Sequence, residues 1–413
     1  MPALFVLATY ALEVQQPEIG LKIGNILFGV VCVGIVALGL LSRLGSQPLL
    51  FAPPNIFDFC FVLYVGWCLA SFKWAGSVNA LIHPLIIGLS WLATKIVGRF
   101  RLEDSIRFLV VSCVVASLIS IALRFISPHI ALQPFSSSGA PELRGIFDHQ
   151  LRLGLLTGTA FGLLVLGFLN GDMRRMRGNI PAWAWWAFTA IILVTCYLAR
   201  ARLFTAALIV ALPVCGLIAG RLLTRTGSAV VLIAGFFIWA YDSQSIIDAV
   251  FKTKSDITLS GRTTVWQRAL AAASERPIRG SGFATFNDQR FDYLWAEYRP
   301  PSAHNTFIHA YFETGLVGLG FLVASLVSAL CIGMYLSVRL RKVSYTLFMT
   351  VYGVFCGLFS VVFAGKASIF ISIFVLILAQ ELSMLRRQQQ RAPAPAPVPR
   401  PAVPRGSGPV PTS

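Results

Sequence analysis

The segment from residue 246 to 311 carries the side chains best suited to chemistry, beginning with Arg262. Residues Thr258–Ser274 predict a short helix, with Ser260 as its N-cap and Pro277 ending it within a turn. Arg262 then lies in the first turn, where its guanidinium and the free backbone N–H groups of a helix N-terminus form an anion site. A solvated surface arginine is the alternative interpretation of this feature alone.

A tight turn and a histidine follow in the same segment. Gly280–Phe283 (Gly-Ser-Gly-Phe) predicts the turn, and Ser302–Asn305 lies at the entrance to a long apolar helix. His304 is a candidate acid–base group, because an imidazole titrates near neutral pH. A lone histidine at such an entrance is often structural. Its combination with Arg262 and the turn favours a functional role.

The elements that must position these residues are membrane helices. Of the 413 residues, 56% are hydrophobic and 12% are charged, well below the roughly 25% charged residues of soluble domains. Uncharged runs of about 17 to 22 residues recur, which is enough to cross a hydrocarbon core of roughly 30 Å as helices. About twelve spans are predicted, near residues 2–13, 23–42, 56–72, 80–98, 106–127, 152–169, 181–198, 203–220, 228–245, 312–336, 344–364 and 367–384. The expected fold is an all-α integral membrane protein.

Lysines and arginines in the short connections predict the orientation of these spans. With a cytoplasmic N-terminus, the basic residues of the alternate connections all fall inside, as the positive-inside rule requires. They are Arg43, Arg99, Arg101, Arg107, Arg174, Arg175, Arg177, Arg221, Arg225, Arg339, Arg341, Lys342, Arg386 and Arg387. This topology and contacts with anionic lipids account for the formal charge of +17, so a nucleic-acid partner is not expected.

The same topology divides the chain into four parts. Residues 1–245 form nine spans, residues 246–311 a large extracytoplasmic loop with short helices, and residues 312–385 three further spans. Residues 386–413 form a Pro-rich cytoplasmic tail that is expected to be disordered. The loop is rich in aromatic residues, which favours an ordered structure over a linker.

The cysteines and the N-terminal stretch argue against disulfides, a zinc site and a cleaved signal peptide. The eight cysteines lie in or beside apolar runs without a CxxC pair, so neither disulfides nor a zinc site is expected. The stretch from Pro2 to Leu12 lacks a basic n-region and a clear cleavage site, so we expect a first span and not a cleaved signal peptide.

Three motifs in the loop resemble the signature of the O-antigen ligase and polymerase superfamily, which includes exopolysaccharide polymerases. They are Ser-Gly-Arg-Thr-Thr-Val-Trp around Arg262, Pro-Ile-Arg-Gly-Ser-Gly-Phe at residues 277–283, and the run from Ser302 to Gly320 (SAHNTFIHAYFETGLVGLG). Members of the family carry an arginine before a short helix, a P-x-x-G-x-G turn and an H-N pair before a Gly-rich span. The agreement in order and spacing covers about 65 contiguous residues.

Two upstream elements also resemble the family, and both fall on the predicted outer side. Residues 144–150 (RGIFDHQ) are similar to its R-G-x-F-x-H-x element, although Gln150 stands where asparagine is common. Residues 198–202 (LARAR) are similar to its S-R-x-x element, with alanine in place of the serine. The sequence leaves open which of Arg200 and Arg202 is the functional arginine.

The resemblance implies a GT-C-like, metal-independent and inverting glycosyl transfer without a cofactor. The donor is a glycan linked to undecaprenyl diphosphate, and the acceptor is a sugar hydroxyl at the outer face. The diphosphate leaving group gains charge as the glycosidic bond breaks, and arginines supply bidentate donors for it. The expected diphosphate-binding residues are Arg144, Arg200, Arg202 and Arg262.

His304 is then the expected base or hydrogen-bond partner of the acceptor hydroxyl. Asn305 is expected to fix the backbone or ring of His304, and His149, Gly280 and Gly282 are expected to support the site. Other groups remain alternatives as the base, and the aromatic residues of the loop either stack on sugars or pack the loop onto the membrane. The alternative bases are Asp148, Asp288, Asp292 and Glu297, and the aromatic residues are Tyr293, Trp295 and Tyr298.

Several functions remain open at this stage. A polymerase would pass the growing chain to a new lipid-linked repeat unit, whereas a ligase would pass the finished chain to lipid A-core. Both would act in a bacterial inner membrane with the site facing the periplasm, among membrane lipids and polysaccharide-assembly proteins. A transporter also suits about twelve spans, but its polar residues would be expected near the middle of the membrane in matching halves. A purely scaffolding protein is the fourth alternative.

Glycan transfer is expected to persist in excess chelator, because the loops carry no apparent set of acidic metal ligands. The measurement is transfer in isolated membranes with and without a chelator, beside a magnesium-dependent glycosyltransferase that reports complete chelation. Loss of transfer that added Mg²⁺ restores would contradict the expectation.

Overall fold

The computed structural model describes residues 1–14, 23–41, 54–133, 141–220, 222–241, 262–295 and 299–391. Its regular secondary structure in these ranges is helical, apart from two isolated β-bridges. The first eight helices are α1 (Pro2–Tyr10), α2 (Ile23–Leu41), α3 (Ile56–Ala70), α4 (Phe72–Ala75), α5 (Asn79–Val97), α6 (Leu102–Ile126), α7 (Pro128–Ala131) and α8 (Gln150–Leu169). The others are α9 (Met173–Arg177), α10 (Ala182–Ala199), α11 (Arg202–Ala219), α12 (Leu222–Tyr241), α13 (Arg262–Ser274), a 3₁₀ helix (Gln289–Leu294), α14 (Thr306–Leu340), α15 (Tyr345–Phe359) and α16 (Ile369–Arg391).

Nine helical segments of the described part are long and apolar enough to cross a membrane, which confirms the predicted all-α integral membrane fold. They are α2, α3 together with α4, α5, α6, α8, α10, α11, α14 and α16. The other three predicted spans coincide with α1, α12 and α15. Helix α1 has nine residues and α15 has fifteen, which gives lengths of about 14 and 22 Å against a core of roughly 30 Å. The total of about twelve crossings stays a prediction.

Small residues bring α8 close to its neighbours. Gly154, Gly158 and Gly162 follow one another at intervals of four residues on one face of this helix. A Cβ atom on Gly154 would lie 2.0 Å from Cβ of Ala201, and one on Gly158 would lie 2.4 Å from the hydroxyl of Tyr352. Membrane helices associate through such small-residue faces, because lipid tails supply no hydrophobic force to drive them together. The stripe therefore packs α8 against the start of α11 and against α15.

One end of the helix bundle gathers the segments that the sequence predicts to lie outside. The backbone N–H of Leu143 donates to the carbonyl of Leu198 at 3.1 Å, and that of Asp148 donates to the carbonyl of Glu13 at 3.1 Å. These bonds join the end of α10 and the end of α1 to the stretch before α8. The two upstream elements quoted above, residues 144–150 and 198–202, therefore meet at this end beside the end of α1.

The opposite end gathers the basic connections. The Arg387 guanidinium at the end of α16 donates to the carbonyl of Arg99, between α5 and α6. The Asn170 amide at the end of α8 donates to the carbonyl of Val343, before α15, at 2.8 Å. Arg174, Arg175, Arg177, Arg339 and Arg341 lie on these same connections. The basic residues that the positive-inside rule assigns to the cytoplasm therefore lie together at this end.

This arrangement predicts which end faces the cytoplasm, and cysteine labelling tests it. We expect a membrane-impermeant maleimide to label His129→Cys but not Asn179→Cys in intact cells, with both labelled after lysis. Both side chains are exposed, and they lie at opposite ends of the bundle. The background is a variant without the eight native cysteines. Labelling of Asn179→Cys alone in intact cells would show that the orientation is opposite to the predicted one.

Candidate active site

The site is built around a break in α14. Gly315 has φ 66° and ψ −169° inside this helix, so the helical hydrogen bonds are interrupted there. The turn after α13 supplies replacement partners: the N–H of Leu316 donates to the carbonyl of Pro277 at 2.7 Å, and the N–H of Ser281 donates to the carbonyl of Phe312 at 2.9 Å. Buried backbone groups need such partners. The Gly-rich turn is therefore fixed to a membrane helix.

Gly280 and Gly282 occupy positions where a residue with a side chain would be strained. Gly280 has φ +68°, and a Cβ atom there would lie 2.5 Å from the carbonyl oxygen of Glu313. Gly282 has φ +109°, and its Cβ would lie 2.5 Å from that of Ala75. Both residues combine a left-handed backbone with close approach of another segment. Their contribution is to let the turn dock against α4 and α14.

Helix α13 is attached to the backbone next to His304. The indole N–H of Trp266 donates to the carbonyl of Ala303 at 2.8 Å. Arg262 begins the same helix, and its charge acts on the His304 imidazole. The predicted helix is thus present from Arg262 onward, whereas its predicted N-cap Ser260 lies outside the described residues.

Asn305 caps α14. Its Oδ1 accepts from the N–H groups of Phe307 at 2.9 Å and Ile308 at 3.0 Å, and its Nδ2 donates to the carbonyl of Leu358 at 2.9 Å. Through the cap it fixes the start of the helix directly after His304, which itself has φ 51°. Asn305 makes these bonds with backbone groups and not with the His304 ring.

A buried histidine, His309, lies about one turn into α14, and the sequence analysis missed it. His309 Nδ1 accepts from the N–H of Ala303 at 3.4 Å, and His309 Nε2 lies 3.4 Å from Oε1 of Glu313. The same carboxylate oxygen accepts from the N–H of Phe286 at 3.2 Å. The i, i+4 spacing of His309 and Glu313 on a helix could have indicated this pair.

A cavity of about 550 Å³ opens between these segments. His304 and His309 line it from the loop side, and His149 and Arg152 line it from the start of α8. Lys366, from the stretch before α16, and His83 of α5 also line it. Three segments with histidines, far apart in the sequence, therefore face one space.

Burial and neighbouring charges keep His304 and His149 neutral. Burial, followed by the charges of Arg262, His149 and His309, lowers the pKa of His304 to about 4. Burial also lowers the pKa of His149 to about 4, where Asp148 opposes the shift and Arg152 and Arg144 add to it. Charged forms lose hydration in such surroundings. At neutral pH each imidazole therefore keeps one acceptor nitrogen, and that of His149, Nδ1, already accepts from the N–H of Leu151 at 3.1 Å.

The four predicted diphosphate arginines take different places. Arg144 Nε and Nη2 donate to the carbonyls of Ile130 at 2.9 Å and His129 at 3.3 Å. Arg200 is half-buried at the C-cap of α10, and Arg202 is exposed at the start of α11. Neither these three nor Arg262 lines the cavity, although Arg144 and Arg262 influence its histidines electrostatically.

The alternative bases and the aromatic residues of the loop also lie in different places. Asp148 and Asp288 line the cavity, whereas Asp292 forms an ion pair with Arg299. Trp295 is buried with its ring centroid 5.3 Å from that of Phe286, so it packs the loop. Tyr293 is 68% exposed, so its part in sugar stacking stays a prediction. Glu297, Tyr298 and the Pro-rich tail lie outside the described residues.

Comparison with known proteins finds a family and a relative that are similar to part of this chain. A family model described as O-antigen ligase matches residues 187–323, from within α10 through the break in α14. The "Exopolysaccharide production protein ExoQ" of Rhizobium meliloti (strain 1021) is 43% identical over 82 residues, which are 18% of this chain and 19% of that protein. The aligned part thus spans about a fifth of that relative. These matches confirm the resemblance to the O-antigen ligase and polysaccharide polymerase superfamily.

The lowered pKa of His304 predicts the pH dependence of the free protein. If His304 acts in its neutral form, the active fraction is lost only as the pH falls through about 4. We expect kcat/KM for transfer to stay level from about pH 8 to about pH 5, because this ratio reports the ionisation of the free enzyme. Thermal unfolding at each pH is the control for integrity. An acidic limb near the ordinary imidazole pKa of about 6.5 would contradict this expectation.

Proposed function

We propose that the protein is a membrane glycosyltransferase. It moves a glycan from an undecaprenyl diphosphate-linked donor to a sugar hydroxyl at the periplasmic face of the inner membrane, as a polysaccharide polymerase. The observation that carries the proposal is one cavity lined by His304 and by His149, with Arg262 beside it. The superfamily matches support the reaction type.

The reaction forms one bond, breaks one bond and transfers one proton. The acceptor oxygen attacks the anomeric carbon from the face opposite the diphosphate, and the bond from that carbon to the phosphate oxygen breaks. The proton of the acceptor hydroxyl passes to the free nitrogen of His304. The bonding electron pair leaves with the lipid diphosphate. No metal or cofactor takes part in this scheme, so cationic side chains balance the growing charge.

Arg262 is the arginine best placed to bind the leaving diphosphate near His304. It is the first residue of α13, and burial lowers its pKa while the guanidinium remains the charged form at neutral pH. Arg144, Arg200 and Arg202 would hold the donor further out, at the same end of the bundle. An anionic donor also raises the basicity of His304 by compensating the nearby cations, because opposite charges favour the protonated form.

A ligase is the second candidate function. One comparison favours the ligase and the other favours the polymerase. The family model that matches residues 187–323 is described as O-antigen ligase, whereas the similar Rhizobium meliloti protein is named for exopolysaccharide production. A ligase would use the same donor and leaving group but would transfer the chain to lipid A-core. The polymerase takes a second lipid-linked repeat unit as acceptor.

Gene deletion with complementation tests the proposal. Cells without the gene receive wild type, Arg262→Ala, His304→Ala or Arg268→Ala at matched membrane levels, and surface glycans are separated by size. Arg268 is the matched control, because it lies on the same helix with its side chain exposed and donating to the carbonyl of Leu294. We expect long chains with wild type and Arg268→Ala. The other two variants should lose them, since a base or charge-stabilising group contributes about 10²-fold or more.

The glycans that accumulate separate the candidates. Single repeat units left on the lipid carrier or on lipid A-core support a polymerase, whereas full-length chains left on undecaprenyl diphosphate support a ligase. Full rescue by both Arg262→Ala and His304→Ala would contradict the proposed site. It would favour the transporter alternative.

A further inference from the structure

His309 and Glu313 form a hydrogen-bonded pair that the proposed reaction does not yet use. Both side chains are buried, with 5% and 1% of their surface exposed. Since Nδ1 of His309 accepts from Ala303, its ring proton lies on Nε2, which faces Glu313 at 3.4 Å. The chain of contacts therefore runs from a carboxylate through an imidazole to the backbone beside His304.

The surroundings of His309 hold its ring in one orientation. The Phe286 ring packs on it with centroids 4.9 Å apart. Gly365, at φ +80°, approaches so closely that a Cβ atom there would lie 3.2 Å from Nε2. Glu313 is itself fixed, because it accepts from the N–H of Phe286. The acceptor nitrogen of His309 is thus held rigidly towards Ala303.

This contact fixes the residue that precedes His304. The Ala303 carbonyl accepts from Trp266, and its N–H donates to His309, so both of its polar backbone groups are held by side chains. His304 then adopts φ 51°, a left-handed backbone that a residue with a side chain takes up only when its neighbours impose it. The direction of the His304 imidazole depends on this imposed backbone.

We propose that His309, oriented by Glu313, is a positioning residue that holds the His304 turn in its reactive geometry. The inference rests on the proposed function of His304 and assigns the pair a role in the same reaction. A buried acid and imidazole within a membrane helix cost desolvation energy, which an apolar pair of equal size would avoid. Pure packing would therefore not require these side chains.

Three substitutions of His309 separate positioning from packing. Asn places an acceptor near the position of Nδ1, Gln places a donor near that of Nε2, and Leu supplies neither. We expect His309→Leu to lower kcat by up to about 100-fold, as a misplacement of about 1 Å can do. His309→Asn should restore most of kcat and His309→Gln much less. KM for the donor should change little, because the diphosphate contacts remain.

The assay uses the full chain in lipid nanodiscs with undecaprenyl diphosphate-linked repeat units extracted from a deletion strain. His129→Leu is the matched control, because His129 is exposed and its side chain lies outside the cavity. Thermal unfolding verifies folding. If His309→Leu does not fold, the comparison of His309→Asn with His309→Gln decides, since both keep a polar side chain.

Two results would overturn the inference. One is a kcat for folded His309→Leu equal to that of wild type. The other is an equal loss in the Asn and Gln variants. His304→Ala, measured in parallel, distinguishes this failure from failure of the proposed function. An active His304→Ala defeats the proposed function, whereas an inactive His304→Ala beside a fully active His309→Leu defeats the positioning role alone.

Discussion

The rest of the site depends on how the break at Gly315 is satisfied. Inside a membrane helix the backbone groups must find partners without water, so an interruption is tolerated only where protein supplies them. Here the turn of residues 277–282 donates and accepts the missing bonds. This exchange ties the turn to the helix α14 by main-chain hydrogen bonds. Consequently the loop and the cavity wall form one structure, and Glu313, beside the break, connects them.

The neutral imidazoles of the cavity are the second organising feature. His304 and His149 are both neutral because burial and nearby arginines disfavour their protonated forms. Arg152 and Lys366 line the same cavity beside these neutral imidazoles. An anionic ligand is therefore attracted to the cations, and by arriving it makes the central imidazoles more basic. Binding and proton acceptance are coupled electrostatically in this way.

The basic residues divide into structural and cavity groups. The Arg144 guanidinium holds the backbone of residues 129 and 130, and thereby shapes the stretch that leads to His149. Arg152 lines the cavity and forms an ion pair with Glu13, which also accepts from the backbone of Ile369. Contacts of this kind join α1, α8 and α16 around the cavity. The bundle thus contributes to the wall from helices that carry no recognisable motif.

The sequence by itself determined the helical membrane fold, the places of its helices and the motif segments around Arg262 and His304. Those features follow from local requirements, since a bilayer imposes a length and polarity on each span and a turn or cap depends on adjacent residues. Only the tertiary structure decided that His309 contacts Ala303, that Gly280 docks at Glu313, and that the predicted arginines stand beside the cavity instead of lining it. These outcomes depend on packing between distant segments, which hydropathy and motif spacing do not encode.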